Sequence, residues 1–399
     1  MNDFKKDFPV YKLHPNLCYL DNAASSLKCE PVIKKLDYYY NNLGVNVHRG
    51  VYELSYEATS LYEQARDIIA KFINARFEEI VFTRGASNAL NLVALSYGLN
   101  NLTKDDEVIV TELEHHSNII PWMKVCKKTG ATLKYLPLTK EGRITVENFK
   151  KVLSDKTKIV AITYVSNVMG YITPIKEIIK LAHEVKAVVS LDGAQAVPHM
   201  NVDVKDLDCD FLSFSGHKMC GPTGIGVLYS KKALLDQMEP IEYGGDMADE
   251  VFTFDATYKD TPYKFETGTP IIAEAIGLGE ACLYLEHVGF SYIMKQEHDL
   301  KELALKELQK IPGIEIYNPT CETGIITFNV KGVHPHDAAS VFDKDEVCIR
   351  AGHHCAIPIT RFLGQIATIR ASFYFYNDEE DVKHFVDAVK EAVAFFGQF

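Results

Sequence analysis

Between about residue 56 and residue 230 the chain alternates short apolar runs with helix-patterned stretches, and this alternation narrows the fold more than any other feature. The runs are Glu79-Ile80-Val81-Phe82-Thr83, Val108-Ile109-Val110-Thr111, Lys158-Ile159-Val160-Ala161-Ile162-Thr163-Tyr164, Ala187-Val188-Val189-Ser190-Leu191-Asp192 and Phe211-Leu212-Ser213-Phe214. Helical spacing fills Ser87–Leu95, Val146–Leu153 and Ile175–His183 between them. The runs are apolar throughout rather than at every second position, as strands are when both faces of a sheet are covered. The pattern predicts an α/β fold, a mostly parallel sheet with helices on both faces. After Pro270 come two helical stretches, to about Gly289 and from Tyr292 to Leu308. Beyond Pro312 lie short strands, Gly324–Val330 and Ile366–Ser372, and a closing helix over Glu379–Phe396. That second pattern predicts a smaller α+β domain at the C-terminal end.

A parallel sheet gathers whatever follows the C-terminal ends of its strands, the usual ligand position of open α/β folds. The strand ending at Ser215 runs into Gly216-His217-Lys218 and then a stretch too rich in Gly and Pro to continue as helix. A lysine there can form a Schiff base with a carbonyl if its ammonium loses a proton near neutral pH. Asp192 ends an all-apolar strand, where an unpaired carboxylate is costly. Its candidate partners are a protonated ring nitrogen, a metal or an arginine. Gln195 follows it. Arg84-Gly85-Ala86-Ser87-Asn88 opens a helix whose first N–H groups suit a phosphate, or are simply capped by serine. His115, after the strand ending near Thr111, can stack on a planar ring or move a proton. Asn167 follows the strand ending near Val165. Small residues Ala23 and Ala24 follow the short strand at Tyr19-Leu20, and His48-Arg49 sit in a polar loop where they can bind a carboxylate. A lysine, an aspartate, a histidine, an asparagine, a glutamine and an N–H cradle after strands of one sheet are what pyridoxal 5'-phosphate (PLP) requires.

A second constellation is Cys348-Ile349-Arg350-Ala351-Gly352-His353-His354-Cys355, followed by Arg370-Ala371-Ser372. Neighbouring His and Arg residues favour the thiolate of Cys355, and Arg370 can pair with a carboxylate. Adjacent side chains rarely converge on one ion, so no metal is expected. The nine cysteines are scattered, odd in number and without a C-x-x-C. They argue against a disulfide framework and for mostly small buried hydrophobes. A formal charge of -12 argues against nucleic acid and against an anionic membrane surface as partners. No apolar signal core or run of about 18 apolar residues is present, which points to the cytoplasm.

These motifs together resemble the cysteine desulfurases of PLP fold type I, most closely the SufS-like branch that includes selenocysteine lyase-type enzymes. The resemblance rests on Tyr19-Leu20-Asp21-Asn22-Ala23-Ala24, Asn46-Val47-His48-Arg49-Gly50, Thr83-Arg84-Gly85, Glu114-His115-His116, Val165-Ser166-Asn167 and Asp192-Gly193-Ala194-Gln195. It continues through Ser215-Gly216-His217-Lys218, Phe265-Glu266-Thr267-Gly268-Thr269-Pro270, Arg350-Ala351-Gly352-His353-His354-Cys355 and Arg370-Ala371-Ser372.

The resemblance implies an aspartate aminotransferase-like fold. It has an arm over residues 1–19 packing with the small domain, a large PLP-binding domain over 20–285 and a small domain over 286–399 carrying the Cys355 loop. It implies that Lys218 holds PLP, Asp192 meets the ring nitrogen, Gln195 the ring hydroxyl, His115 the ring face and Asn167 the ring or substrate. Ala86, Ser87, Ser215 and His217 match the phosphate site, and Thr269 the ligand that the family takes from a second subunit, which implies a homodimer. Arg370 matches the clamp on the substrate carboxylate, with Ala24, His48 and Arg49 around the substrate pocket. Cys355 matches the nucleophile that takes the sulfur of L-cysteine as a persulfide, and His115 the group that moves protons. The sulfur then passes to an acceptor protein of the SufE/SufU type for iron–sulfur cluster assembly. Alternative readings are a selenocysteine lyase acting on L-selenocysteine, and a kynureninase-like lyase of the same fold. The chain departs from the family at Ala86-Ser87-Asn88, where Thr-Thr-Glu is commoner, and at Ile357, where an amide is commoner.

Overall fold

The computed structural model describes residues 3–397; the first two residues of the arm expected over 1–19 lie outside it. Seven strands form the larger sheet: β1 Ile80–Thr83, β2 Glu107–Thr111, β3 Thr132–Leu136, β4 Thr157–Thr163, β5 Val188–Asp192, β6 Phe211–Ser215 and β7 Gly226–Ser230. Their order is β1-β7-β6-β5-β4-β2-β3, with β7 antiparallel to both neighbours and the remaining pairs parallel. The expected α/β architecture is therefore present.

Alternate residues of one strand feed separate cores. In β1, Ile80 and Phe82 join one cluster and Val81 the other; in β4, Val160 and Ile162 oppose Ile159 and Ala161. This is why the strands read as apolar throughout: each side chain meets a helix layer whichever way it points.

A second sheet contains β8 Ile314–Ile316, β9 Ile325–Val330, β10 Arg350–Gly352 and β11 Thr368–Ser372, in the antiparallel order β8-β9-β11-β10. Here the strand facing the site alternates. Ile369 and Ala371 of β11 join a core with Phe328, Phe342 and Phe385. Thr368, Arg370 and Ser372 therefore project from the opposite face. Helices Phe290–Leu308 and Glu379–Phe396 pack together on the apolar side. The helix Ile272–Val288 packs instead on Glu53–Phe72 and Glu30–Tyr38, and the chain turns between the two layers at Gly289, φ +83°. The N-terminal segment touches both layers. The Phe8 ring packs 4.3 Å from that of Tyr376, Lys5 pairs with Asp381 at 2.8 Å, and Cys18–Tyr19 pairs in parallel with Val347–Cys348.

One glycine fixes the edge where the site forms. Gly226 opens β7 opposite both Thr83 of β1 and Ser215 of β6. A Cβ at Gly226 would lie 2.4 Å from Gly85 Cα and 2.6 Å from Phe214 O. Only a bare backbone allows the two loops to approach this closely, and it lets Ala86 N–H donate to Ser215 Oγ at 2.7 Å.

Candidate active site

Lys218 ends the single 3-10 turn Gly216–Lys218 directly after β6. That turn is pinned from both sides. The His217 carbonyl oxygen, just before the lysine, accepts from Ser26 N at 3.0 Å, Ser25 Oγ at 3.1 Å, Ser26 Oγ at 3.2 Å and Lys28 Nζ at 2.9 Å. Beyond it, Cys220 N–H donates to Ser26 Oγ at 2.7 Å. Burial lowers the Lys218 pKa to about 8, with Arg370 and Arg350 adding to the effect and Asp192 and Cys355 opposing it. An amine with that pKa exchanges protons near neutrality.

Asp192 ends β5, is 6% exposed, and its carboxylate accepts a hydrogen bond from Ala194 N–H at 3.0 Å. Burial raises its pKa against the opposing pull of that N–H and of Lys218. A cation placed against it would be strongly bound.

His115 caps the helix His116–Thr129 by accepting from Ser117 N–H at Nδ1, 3.1 Å away. A backbone N–H can only donate, so Nδ1 carries the lone pair and the neutral ring bears its proton on Nε2. Burial, reinforced by Lys218, His116 and Arg370, pushes this imidazole down to about 4, so it stays neutral at physiological pH. The Ser117 hydroxyl, 3.0 Å from Nδ1, also lies 2.6 Å from Ser87 Oγ, which links the histidine to the start of the helix Ala86–Leu92. Asn88 turns away from that helix start, its Oδ1 accepting from Arg84 N–H at 3.1 Å. Beneath His115, fully buried Glu114 accepts from Thr111 Oγ1, Thr163 N–H and Asn118 Nδ2, and burial raises its pKa to about 8.

Arg370, on the polar face of β11, is 2% exposed. Its Nη1 donates to Asn167 O at 2.7 Å and its Nη2 lies 3.4 Å from Asp21 Oδ1. Burial lowers its pKa to about 10, Asp21 opposing. Arg350 stands beside it in register on β10 and holds Asp21 through Nε and Nη2 at 3.1 and 2.9 Å. Arg350 thus takes up most of the Asp21 charge and leaves Arg370 a partly unneutralised cation.

The Cys355 loop follows β10. Gly352, His354 and Cys355 have φ of +135°, +52° and +53°. Backbone contacts hold it: His116 N–H donates to Cys355 O at 2.7 Å and Asn167 Nδ2 to His354 O at 2.8 Å. The His354 ring lies inward with Nε2 2.8 Å from Thr368 Oγ1, and burial drives its pKa down to about 2, so it carries no charge toward the thiol. Cys355 itself is exposed, whereas Cys348 is half-buried and the other seven cysteines are buried. Ile357, where the sequence departs from the family, donates its N–H to His116 Nε2 at 3.0 Å.

These groups line one pocket of about 230 Å³. Ala24, Ala86, Ser87, His115, Asn167, Asp192, Gln195, Ser215, His217, Lys218, Cys355 and Arg370 all contribute. Arg350 and His354 line it as well; as neighbours of Cys355 they were expected only to favour its thiolate, and the neutral His354 supplies no charge for that. Three expected residues are not brought to it within the chain. His48 pairs with Glu63 at 2.7 Å, Arg49 with Asp246 at 3.0 Å, and Thr269 is exposed beyond the turn Tyr263–Phe265.

The pocket fits PLP. It offers a buried carboxylate for a protonated nitrogen and a low-pKa amine for an aldehyde. Gln195 Oε1, His354 Nδ1 and Arg370 Nε are buried there without a hydrogen-bond partner among the described residues, as expected of groups that serve a ligand.

The chain matches the family model described as aminotransferase class-V over residues 18–385. It is 53% identical, over 400 residues covering 99% of this chain and 98% of the relative, to a "probable cysteine desulfurase" of Halalkalibacterium halodurans. A protein of the same description from Staphylococcus aureus strain COL is 50% identical over 402 residues, 99% of this chain and 97% of the relative. Two solved structures, each covered to 98% like this chain, are similar throughout. The apo cysteine desulfurase of Thermococcus onnurineus NA1 has a TM-score of 0.94 at 40% identity, and the cysteine desulfurase CsdA of Escherichia coli 0.93 at 37%.

Proposed function

From the premise that this chain belongs to the aminotransferase class-V family, and within it to the cysteine desulfurases, we propose that it converts L-cysteine to L-alanine and retains the sulfur as a persulfide on Cys355. The observation that carries this reading is that Lys218, Arg370 and an exposed thiol line one pocket. The cofactor is PLP, which when bound supplies an electron sink for the bonds at Cα and Cβ of an amino acid. Lys218 would hold its aldehyde carbon, Asp192 its ring nitrogen, His115 and Gln195 its ring, and Ala86, Ser87, Ser215 and His217 its phosphate.

Arg370 binds the substrate carboxylate and fixes which bonds at Cα face Lys218. The neutral Lys218 amine takes the Cα proton. His115 presents its Nε2–H toward the substrate and steadies negative charge as it develops. The Cys355 thiolate attacks the substrate sulfur: an S–S bond forms, the Cβ–Sγ bond breaks, and the electron pair left at Cβ takes the proton that the thiol gave up, while Lys218 returns its proton to Cα. The balance is L-cysteine plus the Cys355 thiol giving L-alanine plus the Cys355 persulfide.

On this reading the protein is a cytoplasmic homodimer in which Thr269 of each copy completes the phosphate site of the other, with His48 and Arg49 around the substrate pocket. The chain divides into an arm over 1–19, a large domain over 20–285 and a small domain over 286–399. The exposure of Cys355 suits delivery of sulfur to an acceptor protein that feeds iron–sulfur cluster assembly. The test is to mix PLP-loaded protein with L-cysteine without reductant, quantify alanine and map added sulfur by peptide mass spectrometry. Alanine with one extra sulfur on the Cys355 peptide is expected. Alanine formed equally well by Cys355→Ser would overturn the assignment of the nucleophile.

A further inference from the structure

Asn167 opens a buried turn, residues 167–170, whose carbonyls have no sheet or helix partners among the described residues. Each is met by a side chain from the four-stranded sheet or its adjoining loop. Asn167 O accepts from Arg370 Nη1 at 2.7 Å, Val168 O from Thr327 Oγ1, Met169 O from Asn318 Nδ2 at 3.0 Å, and Gly170 O from Thr323 Oγ1 at 3.0 Å. Buried carbonyls must be satisfied, but four in succession served by four side chains of the other sheet and its adjoining loop is a built interface.

The geometry of the sheet explains it. Thr327 on β9 and Arg370 on β11 are cross-strand partners, and Arg350 on β10 continues the same row. One row of one face therefore carries both the substrate-facing guanidinium and a clasp on the turn. Asn318 is fully buried, also donates to Ile325 O at 2.9 Å, and accepts from Thr327 N–H at 2.8 Å, so it is locked onto β9. At the far end Gly170 has φ +63°, and a Cβ there would come within 2.5 Å of Thr323 Oγ1. The turn returns the contact, since Asn167 Nδ2 donates to His354 O, next to Cys355.

We infer that Thr327, Asn318 and Thr323 are positioning residues for the desulfurase reaction: their clasp on the 168–170 carbonyls sets the register between the two sheets, and hence where Arg370 and the Cys355 loop stand relative to Lys218. The inference rests on Arg370 as the carboxylate clamp. Thr327→Val keeps shape and removes one clasp bond. A displaced clamp weakens substrate capture more than it slows a captured substrate. KM for L-cysteine should rise about fivefold, the scale of one buried hydrogen bond, with kcat within about twofold. In the PLP-loaded enzyme, hydrogen exchange at the amides of residues 168–172 should quicken. Thr327→Ser should restore both.

Thr323→Val repeats the test at the other end of the turn should Thr327→Val fail to fold. Unchanged KM and unchanged exchange in these variants would overturn the inference. So would a loss of melting temperature with no change in KM. Arg370→Lys is the control: an unchanged KM there would sink the clamp assignment itself, whereas the exchange measurement reads the clasp independently of it.

Discussion

Lys218 and Cys355 line the same pocket and are held in opposite ways. Lys218 stands at the end of a strand buried on both faces, in a turn whose neighbouring carbonyl meets several donors, and its charge is suppressed by burial. Cys355 is exposed, on a loop with positive φ at Gly352, His354 and Cys355 and backbone anchors on either side. A base must be desolvated and fixed relative to one proton. A thiol that accepts sulfur and then hands it on must remain reachable. The rigid half of the site is built from strand ends and the reachable half from a strained loop.

The largest effect should come from removing the buried base. Lys218→Ala should lower kcat for alanine formation by about a thousandfold or more, within the range general acid–base catalysis supplies. It should also remove the visible absorbance of the lysine-bound cofactor. Cys355→Ala should keep that absorbance while losing the persulfide and, with it, alanine formation. If the two substitutions gave the same spectrum, the division of labour between the halves would be wrong.

Desolvation of Lys218 should also be measurable as stability. Its pKa falls from the 10.5 of an ordinary lysine to about 8 in the folded chain. Between those values the unfolded chain binds more protons, so stability of the cofactor-free protein rises with pH from about 8 to about 10.5. Below pH 8 the buried charge costs its full amount, on the order of 2–3 kcal/mol after allowing for partial solvent contact. Lys218→Met should therefore stabilise the cofactor-free protein at pH 7 by that order. The gain should shrink toward pH 10.5, read by denaturant titration at several pH values. A destabilised variant at pH 7 would mean that the amine is not under strain.

The same contrast governs what could be read from the sequence. The rigid half was legible because position after a strand is a local property: Lys218, Asp192, His115 and Asn167 each follow an apolar run. Two strands of the larger sheet escaped. β7 begins on Gly226, separated only by Ile225 from Gly221-Pro222-Thr223-Gly224, and reads as more of that loop, and nothing local marks it as antiparallel. β3 lies at the sheet edge with Thr132 and Tyr135 facing solvent, so its run is broken by polar positions. The clasp residues Asn318, Thr323 and Thr327 carry no local signal, because their partners lie about 150 residues earlier, as for Thr327 and Val168. The part played by Arg350 depended on a register with Arg370 that only the folded sheet supplies. His48, Arg49 and Thr269 matched motifs, yet a motif says nothing about which copy of the chain a residue serves.

The smallest effect tests the strained half. Cys355 adopts φ +53°, a conformation that costs a residue with a side chain roughly 1 kcal/mol relative to glycine. Cys355→Gly should therefore stabilise the protein by up to about 1 kcal/mol over Cys355→Ala, which keeps the Cβ and the strain. Both variants lack the thiol, so the difference isolates the backbone. The comparison is a denaturant midpoint for each, with equal slopes required before a difference is accepted. A Cys355→Gly variant less stable than Cys355→Ala would show that the loop is held by packing of its side chain rather than strained by its backbone. The contrast with Lys218 would then reduce to exposure alone.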